Sequence, residues 1–312
     1  MLTIWLRDNL SMILLVYFLL MLSVCYWYEI LSLNTLNIKE SANVYDTTSY
    51  SLMKTVSLNK ICNDYSRNDL TSLVWSHRGR INNNKNNIVD GSTEALSLLI
   101  SSNIINFDID VSFVKEFNKF YVIHPTLLNK VDEIERYLSI NEFLNIIYDN
   151  CKSRTSFITI EPKFNDLNLL YKLIEIIIDS KYVKNKTGGN LGIIVSSRKS
   201  YNILNNELAK YDNNIHIAIA FRTIDNTNND IFLWSNRDDI VSIKNPILYM
   251  PDNKLLANVV TNGKSSKKVI TWTIDRIEDV YEALYHNVDG IITNKPIEIL
   301  NILQKDYDKF CI

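Results

Sequence analysis

The chain has 312 residues, of which 46% are hydrophobic, so it can bury at least one large core and is not expected to be disordered. Its 33 Lys and Arg residues are nearly balanced by 35 Asp and Glu residues, which gives a net charge of -2. Such a balance provides no broad basic surface, and we expect no nucleic-acid partner.

The N-terminal region has a short flank, residues 1–9, and then an apolar run, residues 10–28. The run has about the 20 residues that a helix needs to cross a bilayer. Tyr26, Trp27 and Tyr28 at its end are typical of the membrane interface. We therefore expect an uncleaved single-pass anchor, with a cleaved signal peptide or a buried helix as alternatives. The flanking charges favour a cytoplasmic N-terminus, which places the rest of the chain on the non-cytoplasmic side.

The segment after the anchor, residues 29–71, has little periodicity and is predicted to be a spacer with a short helix at most. The four cysteines, Cys25, Cys62, Cys151 and Cys311, have no spacing typical of a metal site. Cys62 and Cys311 flank the region beyond the anchor and could pair in an oxidising compartment, whereas unpaired thiols are the simpler expectation.

From residue 72 onward, short apolar or β-branched runs alternate with helical patterns, which favours a parallel sheet. A closed (β/α)8 TIM barrel over residues 72–304, followed by a tail at 305–312, accommodates eight such runs. A doubly wound open sheet is the alternative, but no glycine-rich phosphate loop follows the first strand. The predicted strands are residues 73–77, 105–114, 157–161, 191–197, 215–221, 239–243, 269–274 and 289–293.

Polar residues gather at the ends of these predicted strands, where the active face of a barrel forms. Asp108 and Asp110 are two positions apart, so a strand would direct both carboxylates to one face. Glu161 could supply a third carboxylate, and an oxygen-rich set suits Mg²⁺ or Ca²⁺. The other candidates are His77, Arg78, His124 and Lys163.

From Leu73 to Leu300 the chain resembles the glycerophosphodiester phosphodiesterases, a TIM-barrel family. The motifs that carry the resemblance are His77-Arg78-Gly79, an acidic strand pair, a second histidine, Glu161-Pro162-Lys163, "TWTID" from Thr271 and "VDGIITNKP" from Val288. The chain departs from the family pattern at three places. Its acidic pair is Asp108 and Asp110 where the family has E-x-D, Asp90 takes the place of a Glu, and Pro125 follows His124 where the family has Asp.

The resemblance implies metal-dependent hydrolysis of a small or lipid-derived glycerophosphodiester to an alcohol and glycerol 3-phosphate. The three carboxylates would hold the divalent cation, and Arg78 and Lys163 would bind phosphate oxygens. His77 would act as base and His124 as acid. Asp90 and Trp272 would have supporting roles, with Trp272 lining the pocket.

Two other readings stay open for this site. The departures allow a catalytically weakened, membrane-anchored barrel that binds a phosphorylated headgroup or a partner protein. They also allow a phospholipase D-like enzyme that acts on lysolipids. The remaining histidines, His216 and His286, are expected to be structural because they fall near the start of a strand and the end of a helix.

Overall fold

The computed structural model describes residues 47–81, 88–127, 131–151, 156–185, 189–195, 198–208, 210, 215–221, 247–251 and 268–311. The predicted anchor at residues 10–28 and the predicted strand at residues 239–243 lie outside these ranges. None of the helices in these ranges combines the length and the apolar character that membrane crossing requires.

Nine strands and eight α-helices fall within the described ranges. The strands are β1 (Val74–His77), β2 (Asn106–Val114), β3 (Lys119–Val122), β4 (Ser156–Pro162), β5 (Gly189–Val195), β6 (Ile215–Phe221), β7 (Ile247–Pro251), β8 (Lys268–Thr271) and β9 (Gly290–Thr293). The α-helices are α1 (Thr47–Asp64), α2 (Thr93–Ser101), α3 (Ile140–Asn150), α4 (Leu167–Asp179), α5 (Lys181–Lys184), α6 (Arg198–Leu208), α7 (Ile277–Tyr285) and α8 (Pro296–Phe310).

Eight of these strands form one parallel sheet in the order β1, β9, β8, β7, β6, β5, β4, β2. β1 also pairs with β2 in parallel, which joins the two edges of the sheet. β3 lies at the end of the sheet, where it pairs with β2 and is antiparallel to it. These pairings confirm the predicted TIM-like α/β fold. The sixth strand of the ring is β7, which the sequence pattern did not single out.

The sequence of β2 explains which way its acids point. The Phe107 ring lies edge-on to the Phe143 ring of α3, with 5.6 Å between centroids, so this side chain faces the outer helices. Successive side chains on a strand point to opposite faces. Asp108 and Asp110 therefore point away from the outer helices, into the barrel, and their spacing of two residues predicts that they share this face.

Polar caps begin the helices that follow β1, β3 and β4. Ser92 accepts a hydrogen bond from the Ala95 N–H at the start of α2. Ser139 and Glu142 form a reciprocal capping box at α3, and Asp166 caps α4. Each cap accepts hydrogen bonds from backbone N–H groups that would have no partner in an uncapped helix. These caps fix the connections that follow the C-terminal ends of the strands.

The terminal helices extend the fold on both sides of the predicted range 72–304. Ile61 of α1 is fully buried, and Ser57 Oγ donates a hydrogen bond of 2.7 Å to the carbonyl oxygen of Tyr281. Cys62 and Cys311 form a disulfide, with 5.2 Å between their Cα atoms. The last part of the predicted spacer is thus helical, and α8 continues through most of the predicted tail.

Candidate active site

The predicted site residues collect at the C-terminal ends of neighbouring parallel strands. His77 is the last residue of β1, and the two acids lie on β2 beside it. Glu161 lies on β4 in register with Asp110. The remaining members sit in the connections that follow: Arg78 after β1, Asp90 before α2, His124 after β3, and Lys163 after β4.

The turn after β1 depends on left-handed backbone. Arg78 and Gly79 have φ values of 60° and 64°, and the Arg78 N–H donates to the Asp108 carbonyl oxygen at 2.6 Å. A Cβ on Gly79 would lie 3.2 Å from the Cα of Gly91, so a larger residue would crowd the start of the next helix. The His-Arg-Gly motif therefore reverses the chain tightly while it leaves both polar side chains at the strand end.

Two cations surround Asp110, whose side chain is only 4% exposed. Lys163 Nζ lies 3.0 Å from Asp110 Oδ1 and 2.6 Å from Glu161 Oε1, so it bridges the two carboxylates. Arg78 Nε lies 2.8 Å from Asp110 Oδ2. That last contact is an ion pair without hydrogen-bond alignment, because neither atom has a hydrogen-bond partner among the described residues.

Asp108 lies two residues before Asp110 on β2 and is also buried. Its Oδ1 accepts a hydrogen bond of 2.6 Å from the Thr159 hydroxyl. Burial, which is the largest cause, and the charges of Asp110 and Glu161 together raise the pKa of Asp108 to about 7, although the hydrogen bond from Thr159 and the charge of Lys163 act in the opposite direction. Without an added positive charge, this carboxyl is therefore partly protonated at neutral pH.

His77 is oriented by a chain of two further residues. Asn294 donates its side-chain N–H to Asp275 Oδ2 at 2.7 Å and its backbone N–H to Asp275 Oδ1 at 2.8 Å. Its amide oxygen then faces His77 Nδ1 at 2.9 Å. Since an amide oxygen only accepts, Nδ1 carries the proton and Nε2 keeps a free lone pair. Burial lowers the pKa of His77, so the ring is neutral at pH 7.

His124 has a different hydrogen-bond partner. Its Nδ1 lies 2.8 Å from the Thr126 hydroxyl and accepts from the Thr126 backbone N–H at 3.3 Å. The Thr126 N–H donates a hydrogen bond to Nδ1 of the neutral ring, whereas the Thr126 hydroxyl can accept a hydrogen bond from Nδ1–H of the charged ring, so Nδ1 has a partner in either state. Burial, and then the charge of Arg78, lower the pKa of His124. In the neutral ring Nδ1 accepts the Thr126 N–H, so Nε2 carries the proton.

A small pocket beside His124 is lined by both charged and apolar residues. Asp90 lines this pocket, and its Oδ2 accepts a hydrogen bond of 2.8 Å from Arg80 Nε. The carboxylate of Asp90 is therefore already paired. The other lining residues are Arg78, Asp110 and His124, which are polar, and Val122, Ile123, Leu127 and Tyr137, which are mainly apolar.

Trp272 follows β8 and packs against an apolar cluster inside the barrel. Trp75, Phe157, Ile194, Ile270 and Ile292 form this cluster. The predicted contact of Trp272 with a substrate alcohol stays a prediction, because the packing against the cluster is the contact that the structure gives.

A second cavity, of about 580 Å³, lies at the opposite end of the barrel. Its lining includes Thr71 and Ser72, which precede β1, and Asn103 and Ile105, which precede β2. The N-terminal end of a barrel is normally its structural end. This cavity is larger than the pocket at His124, but the histidines and acids of the site lie at the other end. We therefore place the candidate active site by its residue types and not by cavity volume.

The fit of a divalent cation rests on Asp110, Glu161 and Asp108. All three offer oxygen, the donor that Mg²⁺ and Ca²⁺ prefer. Asp110 Oδ2 is buried with no hydrogen-bond donor among the described residues, which leaves a lone pair for a cation. Within the described ranges, however, no group of three His, Cys, Asp or Glu residues already has metal-holding geometry. The donor chemistry fits, and Lys163 occupies the space between two of the three carboxylates.

Sequence reasoning missed five polar residues that hold the site together. Asn294 and Asp275 stand inside the two quoted C-terminal motifs, so their presence was visible although their partner was not. Thr159 lies two residues before Glu161 on β4, in register with Asp108. Arg80 and Thr126 follow the predicted residues by two positions each, and only the turn geometry reveals their contacts.

A family model described as dermonecrotic toxin SPH matches residues 92–310. Two solved structures have the same fold at low identity. A phosphodiesterase from Oleispira antarctica, described in complex with the product sn-glycerol-3-phosphate, is 12% identical, with 76% of this chain and 96% of that chain covered and a TM-score of 0.55. A glycerophosphodiester phosphodiesterase from Parabacteroides distasonis is 13% identical, with 75% and 97% covered and a TM-score of 0.55. No curated protein matches the chain.

These structural likenesses confirm the predicted glycerophosphodiester phosphodiesterase-like fold. The family match covers the carboxylates, His124 and Lys163 but begins after His77, Arg78 and Asp90. The family match therefore does not include the first strand and its motif.

Proposed function

Since the chain belongs to the dermonecrotic toxin SPH family, we propose that it is an enzyme that hydrolyses phosphodiesters at the C-terminal face of its barrel. The observation that carries this proposal is the pair of histidines beside one carboxylate–cation cluster. His77 presents an unprotonated Nε2, and His124 presents a protonated one. Such a pair can accept one proton and donate another in the same reaction.

The charges of the site support a divalent cation, Mg²⁺ or Ca²⁺, as cofactor. Arg78 and Lys163 together only balance Asp110 and Glu161, so they leave no net positive charge for an anionic substrate. Asp108, Asp110 and Glu161 would hold the cation, which would polarise a phosphoryl oxygen and offset the charge of the diester.

In the proposed mechanism of hydrolysis, His77 Nε2 takes a proton from the attacking water. A P–O bond forms to that oxygen as the bond to the leaving oxygen breaks. The charged form of His124, in which Nδ1 donates to the Thr126 hydroxyl, gives its Nε2 proton to the leaving alcohol; because the pKa of His124 is lowered, this form is the minor one at pH 7. Arg78 and Lys163 bind the non-bridging oxygens, where negative charge increases in the transition state.

Glycerophosphodiesters are the proposed substrates, with glycerol 3-phosphate and an alcohol as products. The support is the likeness of the fold to the phosphodiesterase solved with sn-glycerol-3-phosphate. A phospholipase D-like activity on lysolipids is the second candidate. Val122, Ile123 and Leu127, which line the pocket at His124, favour it, because apolar lining residues suit part of a lipid.

A membrane location is also proposed, with residues 10–28 as a single-pass anchor and the barrel on the non-cytoplasmic side. The apolar run in the sequence supports the anchor. The disulfide between Cys62 and Cys311 supports the side, since disulfides persist mainly in oxidising compartments.

The test is an assay of the full chain in detergent with glycerophosphocholine or lysophosphatidylcholine, each with Mg²⁺, Ca²⁺ or EDTA. We expect metal-dependent release of glycerol 3-phosphate from the first substrate and none in EDTA. Release of choline from the lysolipid alone would favour the second candidate. Cleavage of neither substrate under any condition would contradict both and favour a barrel that binds a phosphorylated headgroup or a partner.

Asp275 is proposed to act as a positioning residue for His77. Asp275→Asn replaces an acceptor by a group that can present N–H to the Asn294 amide, so Asn294 no longer has a single orientation toward His77. We expect kcat to fall by about tenfold with KM little changed. Steady-state kinetics on the cleaved substrate measures this split.

Glu278→Gln is the matched control, because it makes the same change on the exposed side of α7. It is expected to leave both parameters near those of the unmodified chain. Equal kcat values for Asp275→Asn and the control would contradict the positioning role. A fall in kcat accompanied by a lower melting temperature would indicate a structural role instead.

A further inference from the structure

Lys163 is placed between the two carboxylates that the proposed function assigns to a divalent cation. Its ammonium nitrogen is 2.6 Å from Glu161 Oε1 and 3.0 Å from Asp110 Oδ1, and its side chain is 15% exposed. Both distances are those of direct ion pairs. The lysine therefore already supplies, between these carboxylates, the positive charge that a bound cation would supply.

We propose that Lys163 is an exchangeable counter-ion, which neutralises Asp110 and Glu161 until a divalent cation replaces it and then turns its ammonium toward the phosphate. This inference rests on the metal dependence in the proposed function. It assigns Lys163 two successive partners, the carboxylates and the substrate, in place of phosphate alone.

The backbone allows such a movement without a change in the fold. The Lys163 N–H donates to the Val111 carbonyl oxygen at 2.8 Å, so the main chain is fixed at the end of β4. The side chain beyond it has four rotatable carbons and a compact charge, so the ammonium can shift by several ångströms at little cost. Arg78, which approaches Asp110 from the other side, has no aligned hydrogen bond to it at Nε.

Charge repulsion prevents Lys163 and a divalent cation from occupying the space between Asp110 and Glu161 at the same time. With Lys163 and Arg78 against Asp110 and Glu161, the cluster is close to neutral. Addition of a divalent cation while Lys163 stays would place like charges a few ångströms apart in a buried site, which is unfavourable. Once the cation takes over the carboxylates, the lysine charge is available for an anion.

The exchange has a measurable thermodynamic consequence. A metal ion must displace Lys163, so the lysine weakens metal binding. A phosphate that attracts the displaced lysine strengthens metal binding, and linkage requires the metal to strengthen phosphate binding by the same factor. A lysine that only ever bound phosphate would not weaken the binding of the metal alone by competition for these two carboxylates.

The first experiment is calorimetric titration of the full chain with MgCl₂ or CaCl₂, without substrate. Lys163→Met keeps the length of the side chain and removes its charge, and we expect it to bind the metal about tenfold more tightly. Lys172→Met, on the exposed face of α4, is the matched control and should bind as the unmodified chain does. An unchanged or weaker affinity of Lys163→Met would overturn the exchange while it leaves metal dependence standing.

Absence of metal binding in every variant would overturn both the exchange and the metal dependence. Hydrolysis in EDTA would then show whether phosphodiester cleavage itself stands.

A second measurement uses the unmodified chain and so does not depend on the folding of a variant. Lysines are labelled with an amine-reactive reagent and quantified by mass spectrometry, with and without Mg²⁺. We expect labelling of Lys163 to increase severalfold when Mg²⁺ is added and to fall again when inorganic phosphate is added, whereas labelling of Lys172 stays constant. Labelling of Lys163 that is insensitive to Mg²⁺ at saturating metal would overturn the proposal.

Discussion

Replacement of His77 by alanine is expected to lower kcat/KM by about a hundredfold to ten-thousandfold, the usual contribution of a general base. The Asn294–Asp275 chain leaves Nε2 of His77 as the unprotonated nitrogen, and burial keeps the ring neutral at pH 7. Alanine removes the proton acceptor and leaves the phosphate-binding cations in place. The loss should therefore appear mainly in kcat, measured as product release at saturating substrate.

His286→Ala is the control for this loss. His286 follows α7, and its ring lies against the exposed Tyr285 ring at 5.5 Å, so its removal should leave kcat/KM near that of the unmodified chain. The melting temperatures of both variants should stay close to that of the unmodified chain. A His77→Ala variant with unchanged kcat/KM would contradict the role of His77 as base, and a loss in both variants would point to folding.

Removal of the disulfide is expected to lower the free energy of unfolding by about 4 kcal/mol. The bond joins residues 249 positions apart, and in the chain-entropy account a long loop restricts the unfolded chain most strongly. The double variant Cys62→Ala with Cys311→Ala should therefore unfold at a lower urea concentration. Urea titration followed by tryptophan fluorescence measures the shift.

Reductant provides the matched comparison for the disulfide. Dithiothreitol should bring the urea midpoint of the unmodified chain down toward that of the double variant and should leave the double variant unchanged. An unmodified chain whose midpoint is insensitive to reductant would contradict a stabilising bond. A shift of both proteins would show that the reductant acts elsewhere.

The sequence by itself was sufficient to predict a TIM-like α/β fold and to select most residues that the structure brings together at the candidate site. Alternation of strands and helices predicts a parallel sheet, because parallel strands require long crossovers. The count of eight strand-like runs then favours a TIM barrel over an open sheet. The same topology brings the C-terminal strand ends to one edge, so His77 and Glu161 could be assigned to a common face. The spacing of Asp108 and Asp110 was enough to place both carboxylates on one side of β2.

The tertiary structure alone decided which residues contact one another. Asn294 lies 217 positions from His77, and Cys62 lies 249 positions from Cys311, so no local pattern could pair them. The bridge from Lys163 to Asp110 follows from the register of β4 beside β2. Local propensity and periodicity act over a few residues, whereas these contacts depend on how the sheet curls and joins its edges. The residue types of the candidate site can therefore be predicted from the sequence. Its proton positions and ion pairs depend on contacts that form only when the barrel assembles.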